Sequence, residues 1–168
     1  VQSESFQSGF VRVQRDWVSI DEIRERVESM LSPWSMPRRI QLLWDGPFGS
    51  ELKVYADPRL LERLIVNLAT NSIRASRDGG PVLIRAIIRQ RAGEVLWAVV
   101  DQGTGIAACD LTRIASGVLP VGTVSGLGMS ISRRLAAAHF SPLEMESRLG
   151  TGTAVSFRTP AGGPAAVA

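Results

Sequence analysis

Two apolar runs, Val82 to Gln90 and Glu94 to Asp101, stand on either side of a short turn containing Gly93. Runs of this length rich in Val, Ile and Leu read as strands, and so short a gap joins antiparallel neighbours. A hairpin in mid-chain excludes a wholly parallel, doubly wound sheet, because parallel neighbours need a crossover of about a dozen residues. The other segments are read around it. Phe10 to Trp17 alternates and predicts a strand. Ser19-Ile20-Asp21-Glu22 is a capping box in which the Ser hydroxyl takes the amide of Glu22. It opens a helix to about Leu31, with Ile20, Ile23, Val27, Met30 and Leu31 on one face, closed by Pro33 and Pro37.

Ile40 to Trp44 and Leu52 to Ala56 read as strands. Asp57 is an N-cap and Pro58 fits the first turn of a long helix reaching about Ser76. Residues 106 to 126 read as a long loop with one helical turn at Asp110 to Ala115, and loops of that length are functional or mobile. A helix from Leu127 to Ala138 and strands at Leu143 to Ser147 and Ala154 to Thr159 complete the chain. The order implies an α+β fold. We expect a two-layer α/β sandwich, with three helices on one face of a mixed, largely antiparallel sheet. Residues 1–9 form a flexible lead-in, 10–160 one domain, and 161–168 a disordered tail.

The 168 residues suit one domain, and 45% hydrophobic with 21% charged residues is ordinary for a globular chain. No apolar run approaches the roughly 18 residues of a membrane span. The chain starts at Val1 without a signal-peptide pattern, so we expect a domain excised from a larger protein, any membrane anchor lying elsewhere. The net charge of +3 is carried by scattered arginines, with pairs at Arg38-Arg39 and Arg133-Arg134. No basic run interleaves with aromatics, so no nucleic-acid surface is expected. Cys109 and His139 are each the only one of their kind, which excludes an internal disulfide and Cys-cluster zinc and makes a His-based metal site unexpected. A lone cysteine suits a reducing cytoplasm.

Three stretches carry chemistry. On the helix from Asp57, Leu61, Leu64, Ile65, Leu68 and Ser72 form a core face, while Arg63, Asn67, Asn71 and Arg74 form a separate stripe. A solvated stripe is one reading. Asn, however, is a mediocre helix former, and two of them one turn apart look like oxygen donors for a metal or for phosphates. In VVDQGTGI, Asp101 stands just past a strand, where its carboxylate can accept from an exocyclic amine. Gly103 and Gly105 would let the backbone approach a flat ligand. The plain alternative is a strand-end turn. In SGLGMSI, small residues at a helix N-terminus leave amides free for phosphate. There is no P-loop and no Rossmann fingerprint.

The order of the three stretches resembles the ATP-binding domain shared by sensor histidine kinases, type II topoisomerases, the Hsp90 chaperones and MutL, a fold of Bergerat type. NLATNSIRAS looks like the N box, DQGTGI the G1 box, SGLGMSI the G2 box, and Gly150 to Thr153 the last glycine motif. The resemblance implies that Asp101 binds the adenine amine, with Gly103, Gly105 and Ile106 in the pocket and Thr153 nearby. It implies that Asn71 coordinates Mg²⁺, Asn67 supports the phosphates or metal, and Arg74 lies near the nucleotide. Gly126 and Gly128 would offer amides to phosphate, with Ser125 and Leu127 completing that box, and residues 107–125 would form the ATP lid.

In the hydrolysing branches a Glu stands one turn before the metal-binding Asn. Here that position is Asn67, as is typical of histidine kinases, so hydrolysis by that mechanism is not expected. Two features depart from the histidine-kinase pattern. The lid has no Phe, so Leu111, Ile114 or Leu119 would replace it in packing, and Arg113 is its only cation. There is no phosphoacceptor hairpin, since His139 lies after the G2 helix and reads as structural or surface. The expectation is therefore a histidine-kinase catalytic domain that passes the γ-phosphate of Mg-ATP to a histidine on a separate dimerisation hairpin, inactive alone, with a response-regulator receiver downstream. It would be cytoplasmic and make no direct membrane contact. The rivals are an anti-sigma-factor-type serine kinase, which fits the short lid but not Asn67, and a degenerate nucleotide-binding or docking module.

Overall fold

The computed structural model describes residues 13–116 and 125–162. Its elements, in chain order, are β1 (Asp16–Ser19), α1 (Ile20–Ser35), β2 (Gln41–Asp45), β3 (Lys53–Ala56), α2 (Pro58–Ala75), β4 (Pro81–Arg89), β5 (Glu94–Asp101), α3 (Ala108–Ala115), α4 (Ser125–His139), β6 (Glu144–Arg148) and β7 (Gly152–Gly162). The strands form one sheet in the order β1-β3-β7-β5-β4-β2, and β6 also pairs with β7. Every pairing is antiparallel except β2 with β4. This is the mixed, largely antiparallel α+β sandwich expected. It has a fourth α-helix, because the single turn read at Asp110 extends to the eight residues of α3.

The inner face of the sheet is built by period-2 alternation. Val95, Trp97, Val99 and Asp101 of β5 stand opposite Thr159, Phe157, Val155 and Thr153 of β7. Trp97 and Phe157 are each 1% exposed, and the Trp97 indole Nε1 donates to Thr159 Oγ1 at 3.0 Å, so this large side chain buries no unpaired donor. Leu61, Leu64, Ile65, Leu68 and Ile73 of α2 pack over this face, with α1 and α4 beside α2. The last residue on the inner row of β5 is therefore a carboxylate, placed where the helix layer covers the sheet.

Several boundaries differ from the sequence reading. Ser19 does cap α1, but its Oγ accepts from Asp21 N (3.2 Å) rather than Glu22, and the Asp21 carboxylate takes Gly49 N at 2.9 and 3.1 Å. Pro33 lies inside α1, which runs on to Ser35; beyond it Met36 N still reaches Ser32 O at 3.1 Å. β1 begins at Asp16, and Phe10 to Arg12 of the expected first strand lie outside the described residues. β7 continues to Gly162, because Ala161 and Gly162 pair with Val54 and Lys53, so these two residues belong to the sheet rather than a tail.

The start of α2 is held by Asp57, 1% exposed, which accepts from Arg59 N (3.0 Å), Gln14 N (2.8 Å) and the Arg59 guanidinium. Burial pushes this carboxyl up, but the hydrogen bonds from Arg59 and the Gln14 amide outweigh it and leave the pKa below its ordinary value. Asp57→Ala should cost about 2 kcal/mol at pH 7, read by chemical denaturation. A lowered folded-state pKa gives stability that is full above the unfolded value of about 3.9 and is lost as pH falls below it. The stability gap between wild type and Asp57→Asn should therefore shrink below about pH 4.

Candidate functional site

A cleft of about 660 Å³ opens between α2, α4 and the ends of β5 and β7. Its walls carry Leu68, Ile106, Met129, Leu149 and Val155, an apolar lining suited to a flat ring. Asp101, 5% exposed, sits at the strand end of this cleft. Its Oδ1 accepts from Gly103 N at 2.9 Å, and among the described residues no donor reaches Oδ2. Thr153 stands directly opposite on β7. The result is a pair of oxygen-bearing side chains, a buried Asp101 and a half-buried Thr153, at the edge of an apolar slot.

Of the two glycines after Asp101, Gly105 lines the cleft and Gly103 does not, and both are pressed against protein backbone. A Cβ on Gly103 would lie 2.4 Å from Ala75 O, and Gly103 is not on the cleft wall. Gly105 has φ +66°, and a Cβ there would lie 2.0 Å from Arg148 O. Thr104 N donates to Ala75 O (3.2 Å), and Gly150 N donates to Thr104 O (2.7 Å). The loop is thus pressed between the end of α2 and the β6–β7 turn. The close approach that needs glycine is to protein backbone, and its effect is to aim Asp101 and Ile106 into the cleft.

Along α2, Asn71 reaches the cleft while Asn67 and Arg74 do not line it. The Arg74 guanidinium lies 5.3 Å from the centre of the Trp34 ring on α1, a cation–π contact that turns it away from the expected nucleotide. The Asn71 Nδ2 is buried without a hydrogen-bond partner among the described residues. Across from it, a Cβ on Gly128 of α4 would come within 3.6 Å of Asn71 Oδ1, so glycine keeps the amide uncovered. An unpartnered buried amide is costly and marks a place for a ligand. Ser125, Gly126 and Leu127 form the first turn of α4.

In the expected lid, Ala107, Asp110 and Ile114 line the cleft, next to Ile106 just before it. Leu111 and Ile114 share a smaller adjoining cavity with Leu143 and Met145, which gives α3 an apolar seat without Phe. Leu119 lies outside the described residues. Arg113 is exposed beside Asp110, whereas Arg133 and Arg134 line the cleft. Sequence reading noted this arginine pair but did not place it at the site. Met129, Ser130, Arg133, Arg134 and Ala137 recur at helical spacing, and that was the signal available. Ser147 was also missed.

A family model described as "Histidine kinase-, DNA gyrase B-, and HSP90-like ATPase" matches residues 56–163. The chain belongs to this ATPase family. Within it, the chain is 37% identical to the histidine protein kinase DivJ of Caulobacter vibrioides over 148 residues, covering 83% of this chain and 24% of that protein. It therefore spans about a quarter of that relative's length. The crystal structure of full-length ShkA in complex with AMPPNP superposes with a TM-score of 0.73 at 27% identity, covering 89% of this chain and 32% of that one. The catalytic domain of histidine kinase ThkA gives a TM-score of 0.73 at 21% identity, covering 88% of this chain and 95% of that domain. The fold is that of a histidine-kinase catalytic domain of this ATPase family, and its relatives are sensor histidine kinases. Among the described residues no helix is long and apolar enough to cross a membrane.

Proposed function

We propose that the cleft binds Mg-ATP and presents its γ-phosphate to a histidine on a dimerisation hairpin, from which a response-regulator receiver takes it. The observation that carries the reading is the pairing of a buried carboxylate at the strand end of the cleft with an unpartnered buried amide, Asn71, on its helical side. Asp101 Oδ2 accepts from the base amine. The apolar walls exclude water and so strengthen that hydrogen bond. Arg133 and Arg134 add positive charge on the α4 wall, and the first turn of α4, Ser125 to Gly128, offers backbone amides to the phosphates.

Among the described residues no three His, Cys, Asp or Glu side chains converge on a metal site. That suits Mg²⁺, which binds through few protein ligands plus substrate phosphates. Asn71, kept open by Gly128, would hold it, with Asn67 in support one turn earlier. The ion, when bound, neutralises phosphate charge during transfer. With Asn67 where a general base would stand, this chain offers no carboxylate one turn before Asn71 to activate water, and the phosphate is kept for a protein acceptor. The domain, whose last strand runs to Gly162, has residues 107–125 as its lid and works in the cytoplasm.

Asn71→Ala should remove the Mg²⁺ dependence of ATP binding, seen as equal affinities with and without the ion in calorimetry. The decisive assay supplies a separate histidine-bearing hairpin with γ-labelled ATP. Acid-labile label on the hairpin supports the proposal. Acid-stable label on a serine substrate would favour the serine-kinase rival, and binding with no transfer to either would favour a docking module.

A further inference from the structure

Ser147, the fourth residue of β6, is the centre of a small closed network. Its Oγ accepts from Ile106 N at 2.8 Å, donates to Gly152 O at 2.8 Å, and lies 2.8 Å from Thr153 Oγ1. A hydroxyl has one proton and two acceptor sites. Gly152 O can only accept, so the Ser147 proton goes there. Ile106 N–H fills one acceptor site. The remaining contact is satisfied only if Thr153 donates its hydroxyl proton to Ser147. Thr153 Oγ1 then faces the cleft with lone pairs alone.

From this polarity we infer that Ser147 is a positioning residue for base selection: it makes Thr153 an acceptor, matching Asp101 across the β5–β7 pair. Two neighbouring side chains that can only accept favour a ring edge carrying an amine, directly or through one water. They oppose an edge carrying a carbonyl oxygen, which would meet lone pairs on both sides. The same network ties Ile106 of the loop to the β6–β7 turn, so the selecting edge and the slot wall are set by one hydroxyl. This inference rests on the nucleotide-binding reading proposed above.

The test is calorimetric titration of wild type, Ser147→Ala and Ser147→Thr with ATP and with ITP, in which a carbonyl replaces the 6-amine. Wild type should prefer ATP. In Ser147→Ala the Thr153 proton is released and can turn to the carbonyl. The ATP-over-ITP preference should fall about three- to tenfold, and Ser147→Thr should restore it. Equal weakening toward both nucleotides, or an unchanged preference, overturns the inference and leaves ATP binding itself standing. Absence of ATP binding by wild type overturns both. Should Ser147→Ala not fold, Thr153→Val removes the acceptor while keeping the shape. The preference should fall there too, and an unchanged preference in that variant overturns the inference.

Discussion

Asp101→Asn should weaken ATP binding about a hundredfold while leaving the fold intact. The asymmetry comes from Gly103. Its amide donates to Asp101 Oδ1 and would hold the oxygen of an Asn in the same place. The Asn NH₂ group is then forced into the position of Oδ2, the oxygen that no described residue donates to. A donor meets the base amine where an acceptor stood. Losing a charge-assisted hydrogen bond and opposing two donors together cost about 3 kcal/mol, which is roughly two powers of ten in affinity. Since the turn to Gly103 survives, the melting temperature should not move. Titration of both proteins with ATP and Mg²⁺ reads the result. Unchanged affinity in the variant would end the assignment of Asp101 to the base. No binding by wild type at millimolar ATP would shift the reading to a docking module.

Gly105→Ala should have a large effect on the fold. Two penalties act together. The left-handed backbone conformation costs a residue with a Cβ about 1–2 kcal/mol, and a Cβ 2.0 Å from Arg148 O forces the backbone apart. A loss of about 2–4 kcal/mol is expected, lowering Tm by roughly 5–15 °C. Gly93→Ala is the control, because Gly93 also has positive φ but nothing stands within 4 Å of the new methyl. It should show only the smaller, conformational part. Because Ile106 and Asp101 move with the strained loop, Gly105→Ala should also lose ATP affinity, whereas Gly93→Ala should not.

The parts of this molecule that were legible in the sequence are those set by local rules. Asp57-Pro58 fixed the start of α2, and the alternating runs around Gly93 fixed the central hairpin. Helical spacing put Asn71 on its own face. What escaped was decided by partners distant in the chain. Asp21, rather than Glu22, engages the α1 cap because the Asp21 carboxylate is held by Gly49, 28 residues away. Gly103 and Gly105 were recognised as places of close approach, but Ala75 O and Arg148 O could not be read as what they approach. Arg74 shares a stripe with Asn71, yet Trp34 of another helix draws it off. Ser147 looked like an ordinary strand residue because its importance lies in three partners brought together by the turn beside it.

The final turn of α2 bears on both ends of the cleft. Arg38 donates its guanidinium to the carbonyls of Ile73 and Ser76, clamping that turn. One turn back stands Asn71, while Ala75 O receives Thr104 N from the loop that aims Asp101. Base and phosphate ends therefore share one strut. Whatever tightens it at one end lowers the ordering cost at the other, so the binding free energy does not divide into a nucleoside share and a phosphate share. A bare base and a bare polyphosphate each meet half of a mutually reinforcing arrangement, and the whole nucleotide is worth more to this domain than its pieces.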